Sequence, residues 1–568
     1  MHPSLPSTTA DLLQSSWSTF EPLAVELAHR ELNDRNLKSW LTDWSDLDRS
    51  MVELLYRLYV ATTCNTADHE VTQRYQVFLD EVFPQAMAAD QVLKEKLLAS
   101  GLEPDGFDIP LRNMRSEADL FRQENLPLLA EEQKLNTEYD KIIGAQTVQW
   151  EGQEVTITQL RPVYQEVERN RREQAWRLAF DRQMADRGSI NALWQKMLAL
   201  RSKIAANAGR PDYRAYRWQQ LLRFDYTPGY CRQFHQAIEE VVVPAALRIY
   251  ERRRQHLGVE KLRPWDLDVD LFGRPPLRPF QDVQQLQATV SAIFHRVDPK
   301  LGTYFDTMIR NGLLDLENRK NKAPGGYCID FPVLRKPFIF MNAVGIHDDV
   351  QTLLHEGGHA FHVFETAALP YYQQTQVPNE FAEVASMSME LLASPYLTSD
   401  QGGFYSQADA ARVIADNLEG IVLFWPYMAV VDAFQHWVYE NPYQASEPSA
   451  CDATWANLWA CFMPGVDWSG LDEEMRAGWQ RKLHIHTSPF YYIEYGLAQL
   501  GAVQVWHNAL QDQAGAVASY RKALALGYTT TLAQLYQAAG ARLAFDAGTL
   551  RQAVDLIEDQ LARFAKVI

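Results

Sequence analysis

The chain has 568 residues, of which 47% are hydrophobic and 22% are charged, and its formal net charge is −18. This composition excludes a disordered chain, and it disfavours a nucleic-acid partner because the phosphate backbone repels an acidic surface. The length is sufficient for a large core and for more than one lobe.

The cysteines and the apolar segments indicate a cytoplasmic protein. The five cysteines are odd in number and never occur in C-x-x-C spacing, so we expect a reducing environment without a disulfide framework. The N-terminus lacks the basic start and apolar run of a signal peptide. The most apolar stretch, residues 421–434, contains Pro426 and Asp432 and is too short to span a bilayer. We therefore predict that the protein does not bind membranes.

Helical periodicity dominates the first half of the chain. Residues 12–141 predict successive amphipathic helices, and residues 147–160 change to the alternation of a small hairpin. Helices are predicted again over 163–208 and 228–256, and a proline-rich crossing follows at 263–280.

The second half contains one strand-rich region. It covers residues 314–345, after a helical segment at 281–312, and it immediately precedes a predicted helix at 350–365. A further helix is predicted at 379–393, and helices fill most of the remainder. The sequence therefore predicts a mainly α fold with a small β-sheet beside helix 350–365.

Helix 350–365 carries the H-E-x-x-H pattern of zinc hydrolases, read as His355-Glu356-Gly357-Gly358-His359. Positions four apart lie on one helix face, so His355 and His359 can bind one metal ion. Glu356 lies one residue away, where its carboxylate reaches a water at the metal without itself being a ligand. The two glycines cost the helix about 2 kcal/mol relative to alanines. We interpret them as room for the close approach of a substrate.

A metal site needs a third ligand, which we expect from the following helix. A third histidine six residues beyond the motif is excluded, because that position is Glu365. In the otherwise mostly apolar helix 379–393, three glutamates lie on one side: Glu380, Glu383 and Glu390. An inward acidic stripe needs a counter-charge, which a zinc ion provides. From spacing alone, Glu380 and Glu383 remain alternatives for the third ligand.

At this point the chain resembles the thimet oligopeptidase-type metallopeptidases, and specifically their bacterial oligoendopeptidase F branch. The resemblance covers much of residues 320–500. It is carried by HEGGHAFH (355–362), NEFAEVASMSMELL (379–392), KAPGGYC (322–328), PFIFMN (337–342) and HTSPFYYIEYG (486–496). The helical regions on either side have the expected length and order.

The resemblance implies the ligand set. Glu383 becomes the third ligand of a single Zn²⁺ ion, with His355 and His359 as the others. Glu380 and Glu390 become candidates that orient the ligating histidines.

The resemblance also implies hydrogen-bond donors to the oxyanion of the tetrahedral intermediate. By the spacing of the family these are His486, Tyr491 and Tyr495, and the neighbouring His484 and Tyr492 lie close enough in the sequence to be confused with them. The chain departs from the thimet branch at Ala498, where a further tyrosine is common, so a third phenolic donor is in doubt. His362 lies on nearly the same helix face as the motif histidines, and we expect it to pack or to support the ligands because three protein ligands leave the open position that catalysis needs.

These roles predict a zinc-dependent oligoendopeptidase that hydrolyses internal bonds of short unstructured peptides. Glu356 acts as the general base for a zinc-bound water. The resemblance further implies two helical lobes that flank a deep channel. We place an N-terminal lobe with the hairpin at 1–200 and the lobe that carries the sheet and the zinc site at 201–568.

Two other functions remain open, together with one structural alternative. The first alternative to the endopeptidase is an exopeptidase on the same scaffold, dipeptidase- or carboxypeptidase-like. The second is a non-catalytic zinc-containing protein that binds peptides. Strand 337–341 either pairs with an extended substrate by strand addition or lies inside the sheet.

Overall fold

The structure is a computed structural model that describes residues 2, 4–65, 67–319, 322–323 and 325–566. Its described part is mostly α-helical and contains two small β-sheets. This confirms the predicted mainly α fold. Of the KAPGGYC segment, Pro324 lies outside the described residues.

The N-terminal part is built from amphipathic helices, as the periodicity predicts. The first six pack around a core of apolar side chains drawn from residues 5–114, and the seventh contributes Leu135 and Tyr139 to a separate cluster. The helices are α1 (Thr9–Leu13), α2 (Trp17–His29), α3 (Leu37–Cys64), α4 (His69–Val77), α5 (Phe83–Ser100), α6 (Asp108–Leu120) and α7 (Leu126–Gly144).

The predicted hairpin is confirmed. Strands β1 (Thr147–Trp150) and β2 (Gln153–Thr156) pair antiparallel around a two-residue loop. Both loop residues, Glu151 and Gly152, have positive φ angles of 52° and 81°, as a primed two-residue hairpin turn requires.

Helices return after the hairpin and continue to the main sheet. Their ends follow local capping chemistry: the side chain of Asp298 accepts hydrogen bonds from the first backbone N–H groups of α15, whose first residue is Pro299. These helices are α8 (Arg161–Tyr164), α9 (Arg169–Ala185), α10 (Arg187–Asn207), α11 (Tyr213–Gln220), α12 (Pro228–Ala237), α13 (Val243–His256), α14 (Val283–Val297) and α15 (Pro299–Arg310).

The main sheet has the strand order β3-β5-β4. The central strand β5 (Lys336–Ala343) pairs parallel with β3 (Leu314–Glu317) and antiparallel with β4 (Tyr327–Phe331). Strand 337–341 is therefore an interior strand, and the alternative in which it adds a substrate strand is wrong because both of its edges are already paired.

The C-terminal part is again helical. Helix α16 follows the main sheet, in agreement with the predicted order. The helices are α16 (His347–Thr366), α17 (Tyr372–Thr375), α18 (Asn379–Ala393), α19 (Gln407–Glu440), α20 (Pro442–Ala445), α21 (Pro448–Phe462), α22 (Asp472–Arg476), α23 (Leu483–Thr487), α24 (Tyr492–Gln511), α25 (Gln513–Leu524), α26 (Leu532–Ala538) and α27 (Ala547–Phe564).

A larger hydrophobic core unites the sheet with helices that extend to residue 561. Within it, α18 packs between α16 and α24. Helix α3 contributes to this core through Val60 and to the N-terminal core through Leu47. Because one helix serves both cores, they do not divide the chain at a single residue, and the boundary near residue 200 stays a prediction.

Among the described residues, one helix, α19, is long and apolar enough to cross a membrane by length and composition, with a mean hydropathy of 1.3 in its most apolar window. However, 56% of that window is buried inside the protein. Its apolar surface is therefore used largely within the core.

Candidate metal centre and active site

Helices α16 and α18 bring two histidines and one glutamate together. His355 and His359 lie one turn apart on α16, with ring centroids separated by 5.0 Å. The Glu383 Oε2 atom, from α18, lies 3.4 Å from His355 Nε2 and 3.8 Å from His359 Nε2. Adjacent ligands of a tetrahedral zinc ion are about 3.4 Å apart, given Zn–N and Zn–O bonds of about 2.0–2.1 Å. The three side chains therefore fit one zinc ion.

The position of α16 is fixed where it leaves the sheet. The Asp349 carboxylate accepts hydrogen bonds from the backbone N–H groups of Val344, Gly345 and Ile346, at 2.8, 2.8 and 3.0 Å. These groups belong to the connection between β5 and α16, so the carboxylate both caps the helix and joins it to the sheet.

The two glycines of the motif permit close packing of helices, not the approach of a substrate. A Cβ atom at Gly358 would lie 2.5 Å from the Ala385 carbonyl oxygen and 2.5 Å from the Ser386 Cα atom of α18. A Cβ atom at Gly357 would lie 2.5 Å from the ring of Phe294. Both glycines are buried. Our interpretation of them as space for a peptide is therefore wrong: Gly358 lets α18 approach closely enough for its glutamate to reach α16, and Gly357 makes room for the Phe294 ring of α14.

Glu390 orients one of the clustered histidines. His355 Nδ1 lies 2.7 Å from Glu390 Oε1. A carboxylate at Nδ1 holds the proton there and leaves Nε2 free for a metal ion. Burial alone would raise the pKa of Glu383, but the hydrogen bond from His355 and the charge of His359 outweigh burial and lower this pKa to about 2. Glu383 is therefore available as an ionised ligand.

Glu380 and His362 lie outside this arrangement. The Tyr226 hydroxyl donates a 2.6 Å hydrogen bond to Glu380, and the Arg223 guanidinium lies 3.5 Å from the same oxygen, so Glu380 belongs to a buried charge network. The His362 ring is buried edge-on against Phe381, and neither of its nitrogens has a hydrogen-bond partner in the described part of the chain. The structure thus brings Glu383 to the histidines and leaves His362 as a packing residue.

Glu356 has the electrostatic character of a general base. Burial raises its pKa to about 7, and the negative charges of Glu383 and Glu390 act in the same direction, against the opposing influence of His355. A carboxylate with this pKa accepts and returns a proton readily near neutral pH.

Two of the three predicted oxyanion donors lie at the cluster. The Tyr491 hydroxyl donates a 2.9 Å hydrogen bond to Glu383 Oε1, and the Tyr495 ring lies 5.1 Å from that of Tyr491. Burial raises the pKa of both phenols, so both remain protonated donors.

The third predicted donor, His486, is not at the cluster, and the prediction of its position is wrong. Its side chain is fully buried, stacked on Tyr139 at 4.3 Å and on Trp479 at 5.9 Å. His484 takes the expected place, with its ring 5.8 Å from those of both Tyr491 and Tyr495.

Helix geometry explains why His484, and not His486, lies beside the two tyrosines. His484 and His486 are both on the short helix α23, where residues two apart point to nearly opposite sides. Burial lowers the pKa of His484 to about 4, so its imidazole is neutral near pH 7 and one ring nitrogen can donate a hydrogen bond.

The sequence model of peptidase family M3 matches residues 163–554, which is more than half of the chain. The chain belongs to peptidase family M3. Its structure is similar to that of Pz peptidase A with an inhibitor, at 28% identity and a TM-score of 0.88 over 98% of each chain. A protein named as an oligoendopeptidase F is also 28% identical, with a TM-score of 0.88 over 98% of this chain and 97% of that one.

A third structure supports the fold alone. It is named as an oligoendopeptidase F from Bacillus anthracis str. Ames, with 24% identity and a TM-score of 0.84 over 99% of this chain and 98% of that one. No curated protein sequence matches the chain. The family and these structures identify the protein as a metallopeptidase with the two-lobed helical fold.

In this M3 peptidase the spacing to the tyrosines favoured His486 over His484, although the two histidines lie close enough in the sequence to be confused. The available signal was the helical period of the HIH segment. Only one of two histidines separated by a single residue can face the metal-binding helix, and the apolar neighbour Ile485 does not indicate which one.

Proposed function

We propose that this M3 peptidase is a zinc-dependent endopeptidase that hydrolyses internal bonds of short, unstructured peptides. The observation that carries the proposal is the cluster of His355, His359 and Glu383, with Glu356 on the same helix. The three clustered residues would hold one zinc ion. When bound there, zinc acidifies the attacking water and polarises the scissile carbonyl.

The residues of the chain supply the proton transfers and the remaining stabilisation. Glu356 accepts the proton of the attacking water and passes it to the leaving amine, a double role that suits a pKa of about 7. Tyr491, Tyr495 and His484 donate hydrogen bonds to the developing oxyanion. Glu390 keeps the His355 ring in the orientation that presents Nε2.

The sheet offers a site for the substrate backbone. Because β5 is interior, strand addition falls to an edge strand, and of β3 and β4 we assign it to β4, which packs beside α16. An extended peptide paired there runs past the general base. Backbone pairing of this kind requires a flexible substrate, which agrees with peptides in preference to folded proteins.

A peptidase directed to the C-terminus is the second candidate, and one observation favours it. Lys482 Nζ lies 4.2 Å from the centre of the Tyr492 ring, and burial lowers the pKa of this lysine to about 8. Burial is the one cause of this shift, and no carboxylate in the described part of the chain opposes it. A substrate carboxylate would provide this missing partner.

Matched peptides separate the two candidates. We expect peptides with amidated and free C-termini to be cleaved at the same internal bond with similar kcat/KM values. A loss of cleavage on amidation, restored neither by longer peptides nor by acetylated N-termini, would favour the C-terminal peptidase.

The central test is Glu356→Gln. The amide keeps the shape of the side chain but accepts no proton, so we expect peptide hydrolysis to fall by about 10²- to 10⁴-fold while zinc is retained. Glu473→Gln, at an exposed residue of α22, is the control and is expected to behave as the wild type. Unchanged turnover of Glu356→Gln would contradict the mechanism, and loss of zinc would contradict the separation of base from ligands.

The state of the cysteines bears on the cellular location. The cysteines Cys64, Cys231, Cys328, Cys451 and Cys461 are all free thiols. Free thiols, two of them buried, support a reducing compartment, and we propose a cytoplasmic location.

A further inference from the structure

A second group of metal-binding side chains lies in the core, on two facing helices. Helix α12 contributes Cys231 and His235, and helix α19 contributes Asp432 and His436. Each pair is spaced by four residues, so both members lie on one face of their helix. All four side chains are buried, with exposed fractions of 0, 6, 0 and 3% respectively.

The four side chains converge. His235 Nε2 lies 2.8 Å from Asp432 Oδ2, and His436 Nε2 lies 3.4 Å from the same oxygen. Cys231 Sγ, an Asp432 carboxylate oxygen and a His436 ring nitrogen all lie within 4.8 Å of one another. Ligands of a tetrahedral zinc ion are separated by roughly 3.4–3.7 Å, so small side-chain movements bring these three atoms to a common centre. His235, which contacts Asp432, would join them as the fourth ligand by turning its ring towards that centre.

The group lacks the counter-charge that a buried carboxylate requires. The ion pairs of Asp432 in the described part of the chain are both to histidines, which are charged only when protonated. Asp432 Oδ1 and His436 Nε2 have no hydrogen-bond partner among the described residues. A buried acceptor without a partner costs about 1–3 kcal/mol, and a buried unpaired charge costs more. Both atoms are therefore suited to bind a metal ion.

We propose that Cys231, His235, Asp432 and His436 bind a structural zinc ion, separate from the ion of the active site. A thiolate and a carboxylate together neutralise the two positive charges of zinc, which leaves a buried site without net charge. The mixed sulfur, nitrogen and oxygen set suits zinc, and four protein ligands leave no open position for catalysis.

Binding releases the Cys231 thiol proton to solvent, since the thiolate is the ligand, and it requires two further local changes. His235 Nε2 exchanges its hydrogen bond with Asp432 for the metal. His436 must bind through Nε2 and carry its proton on Nδ1, so the 3.4 Å contact of Arg214 with Nδ1 opens. Arg214 remains paired with Glu440, so its charge stays neutralised.

The location connects this site to the active site. The His436 ring packs 5.2 Å from the Phe490 ring, and the neighbouring side chain of Gln435 accepts a 2.7 Å hydrogen bond from the Phe490 backbone N–H. Phe490 immediately precedes Tyr491. A metal ion that joins α12 to α19 thus stabilises the segment that presents Tyr491, a consequence that rests on the proposed function of that tyrosine.

Cobalt distinguishes the two metal sites, because only the core site contains a thiolate. Protein produced in cobalt-supplemented, zinc-depleted medium should contain two cobalt ions per chain and show a thiolate-to-cobalt charge-transfer band. Cys231→Ser should lose the band, and His436→Gln should contain one ion per chain. The control Cys451→Ser, at another buried cysteine, should keep the band. The double variant His355→Ala, His359→Ala should keep the band and one ion.

The readouts separate this proposal from the proposed peptidase function. Absence of the band in the wild type, or a band that survives in Cys231→Ser, would overturn the core site. Circular dichroism of each variant confirms that a lost ion does not reflect unfolding. A band without peptide hydrolysis supports the core site and contradicts only the proposed function. Peptide hydrolysis without a band contradicts only the core site.

Discussion

Replacement of Gly358 by alanine tests how the two helices build the metal centre. The added Cβ atom would lie 2.5 Å from the Ala385 carbonyl oxygen, whereas ordinary contacts begin at 3.4 Å. The obstacle is the backbone of α18, which cannot rotate away as a side chain can. Helices α16 and α18 must therefore separate by about 0.9 Å, the difference between those two distances.

This separation has two measurable effects. Zinc–ligand distances tolerate about 0.2 Å, so a shift of 0.9 Å moves Glu383 away from His355 and His359. We expect zinc affinity to fall by about 10- to 100-fold, the size of effect seen when ligand support is lost. Overpacking costs about 1–3 kcal/mol, of which the better helix propensity of alanine returns about 1 kcal/mol, so the free energy of unfolding should fall by up to about 2 kcal/mol.

The assay is a chelator-competition titration of zinc, accompanied by urea unfolding. Gly420→Ala is the matched control, because Gly420 is also inside a helix but a Cβ atom there meets no atom within 4 Å. The control should bind zinc normally and be more stable by up to about 1 kcal/mol. Wild-type zinc affinity and stability in Gly358→Ala would refute the idea that this glycine sets the distance between the helices.

Three further predictions address the ligands, the donors and pH. Glu383→Ala should lose zinc on dialysis more readily than Glu380→Ala, and the reverse order by metal analysis would overturn the ligand choice. His484→Phe should lower kcat by roughly 10²-fold with little change in KM, since an oxyanion donor acts in the transition state, whereas His486→Phe should lower stability more than kcat; equal kcat values would contradict the assignment. Burial raises the pKa of Asp330 to about 7 from an unfolded value of 3.8, so stability is lost as pH rises between these values. Asp330→Asn should therefore gain up to about 4 kcal/mol over the wild type from pH 4 to 8, less where water reaches the carboxylate, and a pH-independent difference in urea unfolding would contradict this.

The chemistry of the centre is local, and the sequence therefore predicts much of it. His355 and His359 share a face because a helix repeats every 3.6 residues, and Glu356 lies beside them for the same reason. The hairpin is predicted by alternation around Glu151 and Gly152, and the mainly α fold by apolar spacing along the chain.

The choices that remained open depend on what lies opposite each helix face, which only the tertiary structure decides. Glu380 and Glu383 occupy the same stripe of α18, but Tyr226 and Arg223 face the first while the motif histidines face the second. The orientation of α23 places His484, and not His486, beside Tyr491 and Tyr495.

The glycines and the core cluster show the same dependence. The sequence shows that Gly358 has no side chain, but it does not show that α18 occupies the space beside it. Cys231 and His235 meet Asp432 and His436 although about 200 residues separate the pairs, and no local pattern marks them as partners. Sequence periodicity determines which side chains share a face, and packing between distant segments determines which faces meet.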